Sequence, residues 1–177
     1  MRHLYLILFI TIISSCASEK KKAINSYIAN MHLTDTTFII KEKLSNEITV
    51  HTLKALNLID SLKYSVKDIE ELERLDLRDK SKKYWAAKDF DKKDFIVKYS
   101  KDLWTRENDL MYFKDNYHDV LLISDPIFYK DKKHLIFTIH ISMFPIRAMK
   151  ENYTIVMKKE KGKWIIVEKL TDYTVMY

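Results

Sequence analysis

The spacing of hydrophobic and polar positions changes roughly two thirds of the way along the chain. In the first part, apolar side chains recur every three or four residues, as in residues 53–62, which is typical of helices with one buried face. We expect a short helix over residues 23–31 and further helices beginning at Ser65 and Thr105. The β-branched and aromatic stretch Thr37–Ile40 allows one short strand among them.

The charge-rich stretch over residues 77–94 does not follow either periodicity. It surrounds three aromatic side chains, Tyr84, Trp85 and Phe90. We therefore expect irregular surface structure here, held to the core by these aromatic anchors.

The last third of the chain is patterned as strands. Short apolar runs rich in β-branched and aromatic residues are separated by turn signals, and Gly162 supplies the positive φ that a tight hairpin turn favours. Residues 173–177 are expected to add a last short strand. The predicted strands cover residues 119–124, 127–129, 134–144, 153–158 and 164–170.

Helices followed by consecutive antiparallel strands predict the α+β class. We expect N-terminal helices followed by a four- to five-stranded antiparallel sheet, with the helices on one face of that sheet. Residues 23–177 are expected to form a single α+β domain, because their number suits one domain and no linker or repeat divides them.

Residues 1–15 have the layout of a secretory signal peptide. A basic head of Arg2 and His3 precedes an apolar run over residues 4–13, and small residues follow the run. This run is too short to cross a bilayer, which requires about 20 residues. We therefore expect export and removal of residues 1–15.

Ile13-Ser14-Ser15-Cys16 resembles the lipobox of bacterial lipoprotein precursors, in which an aliphatic residue and two small ones precede a cysteine. The resemblance implies diacylation of the Cys16 thiol, cleavage before Cys16, and acylation of the new amino group with a fatty acid such as palmitate. It places the protein in the bacterial cell envelope, anchored by its N-terminal lipid at the periplasmic face or the cell surface. Residues 16–22 would then be the lipidated cysteine and a polar tether. The alternatives are an ordinary signal peptide or a buried N-terminal strand, with Cys16 incidental in either case.

Two motifs occur in the last third of the chain: Ser124, Pro126 and Phe128 form a Ser-x-Pro-x-Phe turn, and residues 161–164 read Lys-Gly-Lys-Trp. With these motifs, this part looks like small uncharacterised lipoproteins of the Bacteroidota, a family without an assigned activity. The hairpin is also similar to the final strands of NTF2-like domains.

Composition excludes several classes of function. Gly162 is the only glycine, whereas Walker-type phosphate loops, dinucleotide-binding fingerprints, nucleophile elbows and EF-hand loops all require glycine. Cys16 is the only cysteine, so an acylated chain has no thiol for catalysis, disulfides or metal ligation. No cofactor is expected.

The chain carries a formal net charge of +6. Removal of residues 1–15 takes away only Arg2 among the charged groups, so the mature chain remains basic. Behind a lipid anchor the expected partner is the membrane, with an envelope protein as a possible second partner, and nucleic acid is not expected. Residues 20–22, three lysines beside the anchor, are expected either to attract anionic headgroups or to be a solvated tether.

No metal site is expected, because the histidines do not recur at ligand spacing. His134 and His140 share a strand face, but six residues place them nearly 20 Å apart. His140 also lies in a polar row with Thr138 and Ser142. This row is interpreted as the solvent side of the sheet, with a ligand pocket as the alternative. The remaining histidines of the mature chain are His32, His51 and His118.

Two functional hypotheses follow. The first is a membrane-anchored lipoprotein whose domain binds a protein or envelope component and catalyses nothing. The alternative is an NTF2-like small-ligand-binding or hydrolytic domain with a pocket near His140, in which His140, Tyr153 and Glu168 are weak candidates for acid–base catalysis. A structural lipoprotein that links the membrane to the cell wall is a third possibility. No residue is assigned a catalytic role beyond these candidates.

Overall fold

A computed structural model describes residues 18–59, 65–78, 84–92, 94–112, 117–129 and 132–171 of the chain. The predicted signal peptide, the predicted lipidation site Cys16 and the predicted last strand over residues 173–177 lie outside these ranges. None of the described helices combines the length and hydropathy that a membrane crossing requires.

The helices lie mainly before the strands, which confirms the α+β class. A short 3₁₀ helix occupies Ala87–Asp89. The α-helices are α1 (18–28), α2 (Asn46–Ile59), α3 (Val66–Arg78), α4 (Ser100–Leu103) and α5 (Arg106–Tyr112). The strands are β1 (Thr37–Ile40), β2 (Phe95–Lys98), β3 (His118–Ile123), β4 (Ile127–Tyr129), β5 (His134–Phe144), β6 (Ala148–Glu160) and β7 (Lys163–Thr171).

The strands form one mixed sheet of seven strands, in the order β2-β1-β3-β5-β6-β7. β3 pairs with the second half of β5, and β4 pairs with the first half. The prediction of a purely antiparallel sheet with four or five strands is wrong. β1 pairs in parallel with both β2 and β3, and the remaining pairings are antiparallel. The difference arises because β1 and β2 come from the helical part of the chain and add to the edge of the predicted meander.

The predicted hairpin is confirmed. β6 and β7 pair antiparallel and are joined by Lys161 and Gly162, both with positive φ. Gly162 adopts this conformation at φ 81° without the steric cost that a Cβ would impose.

Helices cover both faces of the sheet, so the prediction of helices on one face is also wrong. The α1 face carries Leu135, Phe137, Ile139 and Ile141 of β5, which pack against Tyr27 and other apolar residues of α1. The α2 face carries the alternate residues of β5, and there α2 and α3 pack against Ile136 while α4 packs against Phe144. On the α1 face the alternate residues of β5 are all apolar, whereas on the α2 face the apolar residues Ile136 and Phe144 flank a polar row.

Two of the three predicted aromatic anchors are buried. Trp85 is 4% exposed and Phe90 is 6% exposed, and both join the core on the α1 face. Trp85 also donates its indole N–H to the Ile123 carbonyl at 3.0 Å. Tyr84 remains exposed at the surface.

Candidate functional site

The polar row of β5 lies beneath helix α2. Thr138 is fully buried and His140 is 8% exposed. The Thr138 hydroxyl forms hydrogen bonds with the hydroxyls of Thr49 on α2, at 2.8 Å, and of Thr154 on β6, at 2.9 Å. The interpretation of this row as the solvent side of the sheet is therefore wrong. Hydroxyls from distant parts of the chain satisfy Thr138, which allows this side chain to be buried.

The three weak acid–base candidates do not share a site. His140 pairs with Asn152 on the α2 face, whereas Tyr153 is the next residue of β6 and therefore lies on the α1 face. Glu168 lies on the α2 face but pairs with Val156, four residues along β6 from Asn152. Because His140 is on β5 and Glu168 is on β7, on either side of β6, these pairings place their Cα atoms about 16 Å apart.

One shallow pocket lies at the end of the polar row. Its volume is about 370 Å³, and it is lined by Ser142, Arg147, Ala148 and Met149. His140 lies one position along the same face but does not line this pocket. The described part of the chain thus has a pocket near His140, but His140 is not one of the residues that line it.

A second cleft, of about 270 Å³, opens on the α1 face where α1 ends. Its floor is apolar and includes Tyr27 of α1, Ile141 of β5 and Ile166 of β7. Charged and polar side chains form its rim: Asn30, His32, Lys150, Glu151 and Lys169. An apolar floor with a few polar groups at the rim is the usual composition of a binding site.

The rim lysines are held in place by neighbouring groups. The ammonium of Lys150 lies 3.2 Å from a carboxylate oxygen of Asp119, whose other oxygen accepts the backbone N–H of Thr34 at 2.9 Å. The ammonium of Lys169 lies 3.5 Å from the centre of the Tyr153 ring, a cation–π contact. Tyr153, a predicted acid–base candidate, therefore supports a lysine at the edge of this cleft.

Tyr27 remains protonated at neutral pH. Burial raises the pKa of its phenol, and the charge of nearby Glu151 raises it further. The floor of the cleft therefore offers a neutral phenol for hydrogen bonding.

The histidines are distributed over the fold. His134 lies at the start of β5 and His140 in its second half, and His118 begins β3 on the same face. Among the described residues, no group of three His, Cys, Asp or Glu side chains is placed to hold a metal ion.

The lysines predicted to be part of a polar tether belong instead to the start of α1. Residues 18–22 are helical, and each lysine forms an ion pair. Lys20 lies 2.7 Å from Asp125, Lys21 lies 2.5 Å from Asp89, and Lys22 lies 3.0 Å from Glu19. The tether was expected because these carboxylates, apart from Glu19, come from distant parts of the sequence.

These carboxylates are ionised in the folded protein. Burial opposes ionisation of Asp125 most strongly, but the charges of Lys20 and Lys43 outweigh it and lower its pKa. A hydrogen bond from Lys159 is the main reason that the pKa of Glu19 is lowered. Glu19 also accepts the indole N–H of Trp164 at 3.3 Å. The first turn of α1 is thus fastened to β6 and β7 by charged contacts.

No family model, curated protein or solved structure matches this chain. The function must therefore be argued from the residues and their geometry.

Sequence reasoning missed the cleft at the end of α1. Its members come from α1, β5, β6 and β7, and Lys150 and Lys169 had no feature that distinguished them from other surface lysines. One available signal was the alternation along β6, which places Glu151 and Tyr153 on one face. It could not show that α1 ends above them.

Proposed function

We propose that this protein is a membrane-anchored bacterial lipoprotein, acylated at Cys16, whose α+β domain binds a protein or another component of the cell envelope and catalyses no reaction. The supporting observation is the course of α1. Its first described residue, 18, follows Cys16 by two positions, and the cleft lies at its other end around Tyr27 and His32. One helix therefore separates the anchor from the binding cleft.

The length of α1 sets the distance between these two features. A helix over residues 18–28 is about 16 Å long at 1.5 Å per residue. With its first turn fastened to Asp125 and Lys159, the helix cannot swing as a tether would. The cleft would be held away from the lipid, where a component of the envelope can reach it.

The side chains of the cleft favour binding over chemistry. The Tyr27 phenol is kept neutral, Lys150 contacts Asp119, and Lys169 lies over the Tyr153 ring. Groups held in this way present a fixed pattern of charge to a partner, as pre-organised interfaces do.

The anchor is tested by metabolic labelling with an alkyne-tagged palmitate. We expect label on the wild-type protein and none on Cys16→Ser, since Cys16 is the only cysteine in the chain. Equal labelling of both proteins, or of neither, would contradict acylation at Cys16.

The binding cleft is tested in cells by photo-crosslinking. A photoreactive amino acid replaces His32, which is exposed at the rim, and a matched control places it at Lys101, which is exposed on α4. We expect adducts of defined mass only from position 32. The same adducts from both positions, or none from position 32, would count against the cleft as the binding site.

Binding of a small ligand in the same cleft is the second candidate function. Its volume of about 270 Å³ is close to the lower end for small-molecule sites, about 300 Å³. This moves the ligand-binding alternative from the neighbourhood of His140 to the opposite face of the sheet. A thermal-shift screen of envelope metabolites tests it, with Ile141→Trp as the variant that fills the cleft; a ligand that stabilises both proteins equally would not bind here.

A further inference from the structure

Two turns of the sheet meet at one end and carry a group of lysines. Residues 132–133 precede β5, residues 161–162 join β6 to β7, and the backbone N–H of Lys159 bonds to the carbonyl of Lys133 at 2.7 Å. We name this surface the basic end face and define it by Lys132, Lys133, Lys158, Lys161 and Lys163. Four of these residues are exposed, and the Lys158 side chain is 41% exposed.

Helix α1 begins at the same end of the sheet. Its residue Glu19 accepts hydrogen bonds from Lys159 and from Trp164, which flank the β6–β7 turn. Cys16 precedes the first described residue by two positions, a span of at most about 7 Å in extended chain. An acyl chain on Cys16 would therefore insert into the membrane beside the basic end face.

Two acidic groups that the structure describes at this end, Glu19 and Glu160, are paired with lysines. Glu19 contacts Lys159 and Lys22, and Glu160 lies 2.9 Å from Lys158. Among the described residues, the exposed charges at this end are therefore mainly those of Lys132, Lys161 and Lys163. The opposite end of the sheet mixes both signs, with Arg147 3.3 Å from Asp109 and Lys150 3.2 Å from Asp119.

We propose that the basic end face binds the anionic headgroups of the membrane leaflet that carries the anchor, and that it fixes the orientation of the domain with the cleft facing away from the bilayer. The proposal rests on the proposed acylation, because the anchor is what brings this face to the leaflet. Attraction extends over a Debye length, about 10 Å at 0.1 M salt. Each lysine close to an anionic membrane strengthens binding by about fivefold.

The direct test uses the chain from Cys16 to Tyr177 without acylation, since it contains every described residue. Cosedimentation is measured with vesicles of phosphatidylcholine alone and with 30% phosphatidylglycerol, a composition chosen to be anionic. We expect binding to the anionic vesicles only, weakening as salt is raised. The variant Lys132→Gln, Lys161→Gln, Lys163→Gln should bind about 100-fold more weakly, as three fivefold steps predict.

A matched control removes the same charge elsewhere. Lys67→Gln, Lys92→Gln, Lys101→Gln changes three exposed lysines outside the basic end face, and its binding should stay within about threefold of wild type. An equal loss in both triple variants would mean that only net charge matters and would overturn the proposal. So would equal binding to neutral vesicles, or binding to duplex DNA without binding to anionic vesicles.

Lysine labelling tests the orientation. On anionic vesicles, acetylation measured by mass spectrometry should slow at Lys132, Lys161 and Lys163 and remain unchanged at Lys101. Equal protection at all four positions would contradict a fixed orientation. Because this chain is not acylated, vesicle binding does not depend on whether cells modify Cys16. Failure of the palmitate labelling would therefore contradict the proposed anchor without changing the result of the vesicle experiment.

Discussion

The buried hydroxyl chain Thr49–Thr138–Thr154 allows a sharp prediction about stability. Thr138 lies at its centre, fully buried, with hydrogen bonds of 2.8 and 2.9 Å to the other two hydroxyls. Thr138→Val keeps the size and shape of the side chain but removes the shared partner. Each hydroxyl left without a partner in the core costs about 1–3 kcal/mol. With two such hydroxyls, we expect a loss of roughly 2–6 kcal/mol in the free energy of unfolding.

The triple variant Thr49→Val, Thr138→Val, Thr154→Val provides the contrast. With all three hydroxyls gone, none of them is left buried without its partner, and such replacements are close to neutral. We expect the triple variant to lie within about 1 kcal/mol of wild type and to be more stable than Thr138→Val alone. The single variant Thr49→Val should be intermediate, because Thr138 keeps its bond to Thr154.

Urea unfolding followed by circular dichroism measures these differences. With a slope of about 2 kcal/mol per molar urea, Thr138→Val should lower the midpoint by about 1–3 M without changing the slope. A triple variant no more stable than Thr138→Val would refute the reasoning. The loss would then come from the shape of the valine side chain and not from hydroxyls deprived of their partner.

Three other outcomes can be measured in the same way. The pKa of Asp125 is lower in the folded protein than its unfolded value of about 3.9, so the ionised carboxylate stabilises the fold above that pH, and this stabilisation disappears as the pH falls through the folded value. Asp125→Asn should therefore be less stable than wild type at neutral pH. Its free energy of unfolding should also fall less than that of wild type between about pH 5 and pH 2. Burial raises the pKa of Tyr27, so wild type should lose stability above about pH 10, where the unfolded tyrosine ionises, more steeply than Tyr27→Phe. Gly162→Ala should lower the free energy of unfolding by about 1 kcal/mol, measured by thermal unfolding, because an alanine is strained at a φ of 81°. An added Cβ would meet no atom within 4 Å, so no steric clash adds to this strain. Gly162→Asn should lower the free energy of unfolding less, because asparagine tolerates positive φ better than alanine.

The parts of the fold that were predicted correctly depend on local sequence. The β6–β7 hairpin follows from alternation on both sides of a lysine–glycine turn, and the helix at Val66 begins after Ser65, whose hydroxyl accepts the backbone N–H of Asp68 at 3.1 Å. Both signals lie within a few residues. They can be recognised in the sequence without knowledge of contacts to distant residues.

The parts that were predicted wrongly depend on distant contacts. β1 pairs with β2 at Thr37 and Phe95 and with β3 at Thr37 and Asp119, and parallel pairs such as these need long connections that leave no turn signal. The polar row on β5 has the same alternation whether it faces water or a threonine of α2. Only the position of Thr49 over Thr138 decides between the two.

The start of α1 shows how such a distant contact changes a functional argument. As a flexible tether, residues 18–22 would let the domain turn freely and leave three lysines for the membrane. Paired with Asp125 and Asp89, Lys20 and Lys21 instead fasten the helix to the domain. If Cys16 is acylated, the lysines that we propose for membrane contact, such as Lys132 and Lys161, lie far from Cys16 in the sequence. With α1 fastened in this way, the proposed partner of the cleft would approach from the side away from the bilayer.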